Sequence, residues 1–449
     1  MKTVQTDILI IGGGPAAMVT VATTLENYPN KSITLIKKEK VSLVPCGIPY
    51  IFGTTLGDSD KDAIACGGPL KDAINVIIDE VNDVDIENKK AVASSHIIHF
   101  DKLVFATGSV PFVHQSFQAA LKLENVFTVD KNKNKIDALK AHIDNCKKII
   151  VVGSGFIGVE IAEQIRTLHK EVTLVGGRHI LAESFDEEMA MQAETILDEA
   201  GVVMALGQHA TKVIEKDTKA LGIVLEDGTE IYGDTIILAT GYQPNTALAK
   251  KAGLKLARYN GIWVDEYMRT RNKDIFAVGD CCGRRDFITR DPSKVMLAST
   301  SAAEARVAAL SLYGLQHLKG FNGTIAIFST MIGNRAFSSA GVTEYQAKKE
   351  QIDYVTGSFE GMNRHPGTIP DASKQSVKLI ALRKSGQIIG GQVIGGKEAG
   401  EIINIIGLAI ESELTAHKLF AFQVATQPLL TSAPTTYPIV QAAKQIINA

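Results

Sequence analysis

Two runs of small residues are the first candidates for chemistry. Gly12-Gly13-Gly14-Pro15-Ala16-Ala17 follows an apolar stretch at residues 7–11, and Gly153-Ser154-Gly155-Phe156-Ile157-Gly158 follows another at residues 148–152. Each leads into a helix-like stretch. In a strand–turn–helix unit of this kind the first glycine allows the tight turn, and the second lets the backbone approach a pyrophosphate. The third position stays small for helix–strand packing, and the helix N-terminus attracts the phosphate charge. One such motif is weak evidence, because a glycine-rich turn is often only a tight connection. Two in matching contexts point to two dinucleotides, and two dinucleotides in one chain imply hydride passing between a nicotinamide and a flavin.

The surrounding elements repeat as well. Each loop and helix is followed by a second β-rich run, at residues 33–36 and 172–175, and each copy is closed by a strand ending in Ala-Thr-Gly, at Ala106-Thr107-Gly108 and Ala239-Thr240-Gly241. The second unit reads as an insertion into the first. After Gly241 the chain returns to a buried strand ending in Gly279-Asp280, followed by a helix near residues 299–312. From about Phe321 the character changes. Residues 377–383 and 388–393 flank a Ser385-Gly386 turn and predict a hairpin, with helices at 398–412 and 437–447. This last part has no glycine-rich loop and is expected to be an interface domain.

At 449 residues the chain is long enough for roughly three domains. Lys plus Arg number 47 and Asp plus Glu 49, a formal charge of −2 that leaves no electrostatic footprint for nucleic acid. Hydrophobic residues at 45% and charged residues at 21% fit a globular protein. No apolar run approaches the ~20 residues of a membrane span. The first residues enter a strand directly, without the features of a signal peptide, so a cytoplasmic protein is expected. Five cysteines cannot form a disulfide framework, and the odd count leaves at least one thiol free.

Taken in order, GxGxxA, ATGSxP, GxGxxG-x-E, ATGxxPN and AVGD resemble the FAD-dependent pyridine nucleotide-disulfide oxidoreductases over essentially the whole chain. The resemblance implies an α/β fold with two Rossmann-like domains, the FAD domain interrupted by the NAD(P) domain, and a C-terminal α+β dimerisation domain. The expected divisions are 1–117 and 246–320 for FAD, 118–245 for NAD(P)H, and 321–449 for the interface of a homodimer. FAD is expected against Gly12, Gly14, Pro15, Ala16, Ala17, Ser42, Ala106, Thr107, Gly108 and Gly279, with Asp280 bonding the ribityl chain. NAD(P)H, a co-substrate, is expected against Gly153, Gly155, Phe156, Ile157, Gly158, Glu160, Gly176 and Gly241.

Cys46 lies in Ser42-Leu43-Val44-Pro45-Cys46-Gly47-Ile48-Pro49-Tyr50, where this family places its redox cysteine beside the flavin. A C-x4-C pair is missing, since the partner positions are Val41 and Ile51. The single cysteine resembles the coenzyme A-disulfide reductase, CoA-persulfide reductase and NADH oxidase/peroxidase branch, and Pro49-Tyr50 with Gly53 stands closer to the coenzyme A enzymes. The implied activity is reduction of a small disulfide or persulfide, coenzyme A-linked by the resemblance, by electrons passed from NAD(P)H through the flavin to Cys46. The alternatives are an NADH oxidase or peroxidase cycling Cys46 through sulfenic acid, and a redox-sensing or electron-carrying flavoprotein. The thiolate is the reactive form, so a lowered thiol pKa is expected. Cys66, Cys146 and the adjacent Cys281-Cys282 have neither redox nor zinc spacing, and no metal is expected.

Several positions depart from the family pattern. Lys37, with Glu39 two residues on, stands where an acid usually bonds the adenosine ribose. The counterpart in the second unit reads Gly176-Gly177-Arg178-His179, with no acid and with an arginine that could meet a 2′-phosphate. Gln427 replaces the histidine of the His-Pro base of dihydrolipoamide-type reductases. Arg364-His365-Pro366-Gly367 resembles the Tyr-Tyr-Pro-Gly stretch of coenzyme A-disulfide reductases, which makes His365 a candidate proton donor, with Tyr437 as another.

Overall fold

The computed structural model describes residues 1–64, 70–315 and 320–449; Cys66 lies outside the described residues. The first sheet is built on β1 (Lys2–Ile11), whose last four residues, all aliphatic, are buried. Burial on both faces is the signature of a central parallel strand. From β1 the chain passes through helix α1 (Pro15–Asn27), β2 (Ile33–Lys37), the short α2 (Ile48–Ile51), β3 (Asn75–Ile78) and β4 (His96–Phe105). The parallel order is β3-β2-β1-β4, extended by an antiparallel hairpin beyond β4.

The second sheet holds β5 (Val126–Thr128), β6 (Lys148–Val152), β7 (Glu171–Val175), β8 (Val202–Ala205) and β9 (Thr235–Leu238), all parallel in the order β5-β9-β6-β7-β8. Helices α3 (Lys133–Asp144), α4 (Phe156–Arg166) and α5 (Glu187–Glu199) connect them. The chain then returns to the first sheet, where β10 (Ile275–Ala277) pairs parallel with β4 and leads towards α6 (Ala298–Ser311). The excursion through a complete second sheet is the insertion expected from the repeat.

The third sheet is antiparallel: β11 (Phe328–Ile332), β12 (Arg335–Gly341), β13 (Tyr354–Met362), β14 (Lys374–Leu382) and β15 (Ile388–Gly395), ordered β11-β12-β15-β14-β13. The predicted hairpin is β14–β15, with Val377 opposite Val393. Helix α7 (Ala399–Glu411) packs on β12 and β15, and α8 (Pro438–Ile447) on β13 and β14. No helix among the described residues is long and apolar enough to cross a membrane.

The three parts are fastened together by named contacts. Ile48, Ile51 and Phe52, on and just past α2, join the same buried cluster as Val159, Ile161 and Ile165 of α4, and that cluster extends to Ile332 and Phe337 of the third sheet. Lys378 of β14 is buried among Asp186, Glu188 and Glu344, with Asp186 2.9 Å away. Gln392 of β15 donates to Asp186 Oδ2 at 2.7 Å and accepts from its backbone N–H at 3.1 Å.

Candidate functional site

Both glycine loops turn at the C-terminal end of a parallel strand. Gly12 has φ 129° and Gly153 φ 121°. A β-carbon at Gly12 would collide with the Ala106 carbonyl, and one at Gly153 with the Ala239 carbonyl. That collision explains why each loop is matched by an Ala-Thr-Gly strand end. Gly14 and Gly155 are the N-caps of α1 and α4, without a side-chain cap, and a β-carbon on either would meet nothing within 4 Å. Both uncapped helix N-termini therefore open onto the cleft that Gly14 and Gly155 line, as a pyrophosphate requires. Pro15 opens α1, Ala16 and Ala17 are buried behind it, and Gly158 packs against the Gly153 carbonyl.

Both loops open into one continuous cleft of about 2790 Å³, which Cys46, Glu160, Arg178 and Asp280 also line. A single small-ligand pocket holds roughly 300–1,000 Å³. The cleft has room for two dinucleotides and an acceptor.

Asp280 follows Gly279, which takes φ 77° and donates its N–H to the buried Glu304 at 2.8 Å. Arg284 pairs with Glu304 and donates to the Gly279 carbonyl, which fixes the turn. Asp280 Oδ2 accepts from Ser109 at 2.8 Å and from Lys131 at 3.0 Å, and Lys131 also donates to Ser109 at 2.6 Å. Burial works to raise the Asp280 carboxyl, but Lys131, Arg284 and Ser109 outweigh it and hold it below its ordinary value. It remains a carboxylate, ready to accept hydroxyl hydrogen bonds. Sequence reasoning missed Lys131, whose setting of alternating lysines and asparagines reads as a solvated loop.

Lys37 is buried and turns back under the first loop. Its ammonium donates to Ser42 Oγ at 2.6 Å, and Ser42 donates to the Gly13 carbonyl at 3.2 Å. A β-carbon at Gly13 would lie 2.7 Å from Lys37 Cδ. Lys37 thus braces the loop and offers no acceptor to a ribose.

Cys46 is exposed on the cleft wall, immediately before Gly47 and α2. Gly47 is closely constrained, because a β-carbon there would collide with Asp62 Oδ1. Burial lifts the Asp62 carboxyl to about 6. Desolvation, then Glu160, raises the Cys46 thiol; Asp280 and Asp62 add to this, and Lys131 opposes it. The chain's own groups therefore move this thiol opposite to the expected direction, through burial first and the Glu160 carboxyl next. Glu160 itself is pushed up to about 7 by burial, although Thr330 donates to its Oε1 at 2.7 Å and the Tyr50 hydroxyl lies 3.5 Å away.

On the nicotinamide side, Phe156 lines the cleft and stacks on Phe328 with centroids 4.9 Å apart. Ile157 also faces the cleft, and Gly241 turns with φ 97°. A β-carbon at Gly176 would collide with the side chain of Ser154, while Gly177 has nothing within 4 Å. Arg178 is exposed and lies 3.4 Å from Glu187.

The C-terminal candidates lie apart from the cleft in their own chain. His365 Nδ1 is 2.9 Å from the Thr431 carbonyl, and the His365 N–H donates to Pro428, so this loop is tied to the Gln427 segment rather than to Cys46. Tyr437 is 8% exposed, belongs to the third sheet's core and meets Phe422 edge-on, which makes it a packing residue here. Burial raises its hydroxyl. Cys281 and Cys282 are buried, and Cys146 contacts Thr235. Asp186, Glu188 and Glu344 converge closely enough for a cation, but Lys378 already fills that role.

Comparison with known proteins identifies the family. The family described as pyridine nucleotide-disulphide oxidoreductase matches residues 6–305, and its dimerisation domain matches residues 327–438. An NADH oxidase from Methanocaldococcus jannaschii is 28% identical, over 98% of this chain and 99% of the relative. An NAD(P)H coenzyme A polysulfide/persulfide reductase from Pyrococcus horikoshii is also 28% identical, over 97% of each chain. The solved NAD-dependent persulfide reductase from A. fulgidus superposes with a TM-score of 0.89 at 28% identity, covering 98% of this chain and 83% of that one.

Proposed function

The chain belongs to the pyridine nucleotide-disulphide oxidoreductases, and from that premise we propose that it is an FAD-dependent NAD(P)H oxidoreductase. Its Cys46 reduces a small disulfide or persulfide, with coenzyme A as the thiol carried. The observation that carries this reading is the one exposed thiol among the described residues, on a cleft shared by two glycine loops. Residues 1–117 and 246–320 hold FAD through the uncapped N-terminus of α1 and through Asp280, and residues 118–245 hold NAD(P)H through the N-terminus of α4. Bound there, FAD would supply a two-electron carrier between the nicotinamide and sulfur.

The chain's own residues do the rest. Cys46 thiolate attacks one sulfur of the acceptor, forming a mixed disulfide and expelling a thiolate or hydrosulfide; two electrons would then cleave the mixed disulfide, releasing its other sulfur as a second thiolate or hydrosulfide and restoring the Cys46 thiolate. Lys131 is the residue that favours the thiolate, while Glu160, Asp280 and Asp62 oppose it. Glu160, raised to about 7, can hold a proton at neutral pH close to this chemistry. Residues 321–449 form a homodimer, and His365 serves as a proton donor only across that dimer, because in its own chain it points to Thr431. Tyr437 is left as a packing residue. The free cysteines fit a reducing, cytoplasmic setting.

An anaerobic titration tests the reading. The purified protein should be yellow, bleach with NADH or NADPH, and regain colour on addition of coenzyme A disulfide or persulfide. A folded, colourless preparation that FAD cannot reconstitute would overturn it. The oxidase reading is favoured by the M. jannaschii relative's name; it predicts rapid recolouring by oxygen or peroxide and none by the disulfide.

A further inference from the structure

A further wall of the cleft, holding Arg258, Tyr259 and Lys294, is built on a small three-stranded sheet. Its middle strand, Cys282–Arg285, starts two residues past Asp280. Ile262–Trp263 pairs parallel with it on one side, and Pro292–Ser293 pairs antiparallel on the other. The turn Arg258–Asn260 precedes the first flank and Lys294 follows the second, so both are fixed to the strand that follows the Asp280 turn. Within the turn, Tyr259 and Asn260 take left-handed backbone, with φ 64° and 63°. That is unfavourable for a bulky side chain, so its neighbours must hold it. Ala257 donates its N–H to the Gly261 carbonyl at 2.7 Å, and a β-carbon at Gly261 would collide with the Cys282 backbone.

Two cations converge on the exposed Tyr259 ring. The Arg258 guanidinium lies 5.2 Å from its centroid and the Lys294 ammonium 4.8 Å. Among the described residues, neither side chain has an ion-pair or hydrogen-bonding partner, and an exposed aromatic face offsets little of their charge. Two carboxylates share the wall. Asp286 is taken up by the N–H groups of Ile288 and Thr289, each at 2.9 Å, and among the described residues no ion pair joins Asp291 to either cation. Uncompensated cations beside an aromatic ring suit a phosphorylated nucleotide, whose phosphates pair with the cations and whose base can lie against the ring. The two glycine loops already account for one pyrophosphate each. These cations are left for a third nucleotide.

We propose that Arg258, Tyr259 and Lys294 form the subsite for the nucleotide end of the acceptor. The adenosine phosphates of coenzyme A pair with the two cations, and the adenine lies against the tyrosine ring. This rests on the reading that the acceptor is coenzyme A-linked. The pantetheine arm then runs from this wall towards Cys46, which lines the same cleft. The subsite touches no reacting atom, so its loss weakens binding of the carrier and leaves the thiol chemistry alone.

The test uses the FAD-loaded protein and two disulfides: coenzyme A disulfide, and pantethine, which has the same thiol arm without the nucleotide. Wild type should show the lower KM with coenzyme A disulfide, and added salt should narrow the gap. Arg258→Ala and Lys294→Ala should each raise that KM about 10- to 100-fold, the scale of a lost charged hydrogen bond. The kcat, the turnover of pantethine, the FAD content and the bleaching by NADH or NADPH should stay close to wild type. A wild-type KM no lower for coenzyme A disulfide than for pantethine, an unchanged KM in the variants, or an equal rise with both disulfides would overturn the proposal. Loss of FAD or slowed bleaching in the variants would also overturn it, assigning the cations to the flavin's or the nicotinamide's phosphates. If wild type turns over neither disulfide, the coenzyme A reading of the reaction fails. Calorimetry with adenosine 3′,5′-bisphosphate then still reads the subsite, which stands if both variants weaken binding and falls if wild type does not bind or the variants bind equally.

Discussion

Around Cys46 the chain places Glu160, Asp280 and Asp62 against a single lysine, Lys131. The thiol is held up, so thiolate is scarce at neutral pH in the protein without its cofactor. Alkylation of Cys46 in the FAD-free protein should therefore be slow near pH 7 and climb steeply towards pH 9 and beyond. Lys131→Met should slow it further at every pH, and Glu160→Gln should speed it. Fast, pH-independent alkylation from pH 6 would show that another group activates the thiol. Cys46 was legible in the sequence because a motif surrounds it. Lys131 was not, since its partners Ser109 and Asp280 are brought to it from distant parts of the chain. The thiol's direction was not legible either, because it depends first on burial and then on charges from separate segments.

At the scale of elements, α2, α4 and β11 meet at Glu160, where Thr330 of β11 and Tyr50 of α2 approach one carboxyl. That carboxyl is raised to about 7, above the 4.5 of a free glutamate. The folded state holds this proton more tightly than the unfolded chain. Its contribution is thus complete below about pH 4.5 and is lost as pH rises through 7. Glu160→Gln should remove the loss: relative to wild type, the variant should gain stability between pH 5 and pH 8, by at most about 3 kcal/mol. Parallel denaturant titrations check this, and an offset independent of pH would contradict it. The periodic elements were readable in advance, including the β14–β15 hairpin and the two C-terminal helices. The meeting of α2 with α4 was not. It depends on Gly53, where a β-carbon would collide with the Gln164 carbonyl, and a lone glycine carries no sign of what lies beyond it.

Across the whole molecule, the second and third sheets are fastened by Lys378, 4% exposed on its side chain, among Asp186, Glu188 and Glu344. Burial works to lower this ammonium, but the three carboxylates more than compensate and raise it. Lys378→Met would leave them facing one another in a partly dry site, and it should cost about 3–5 kcal/mol, read as a lower denaturant midpoint. An unchanged midpoint would mean that the sheets are held by their apolar contacts alone. The duplicated architecture and the inserted second unit were legible from the repeated glycine loops and strand ends. The position of His365 was not, because a single chain places it against Thr431, away from the cleft.

The central claim is that electrons leave this protein through Cys46, and the Cys46→Ser variant tests it most directly. Wild type and variant are mixed anaerobically with NADPH, followed by bleaching, and then challenged with coenzyme A disulfide or persulfide under multiple turnover. The account predicts that both proteins bind FAD and bleach at similar rates, while acceptor reduction in the variant falls by several orders of magnitude. Full acceptor turnover in Cys46→Ser would contradict the thiol route and leave direct transfer from the flavin.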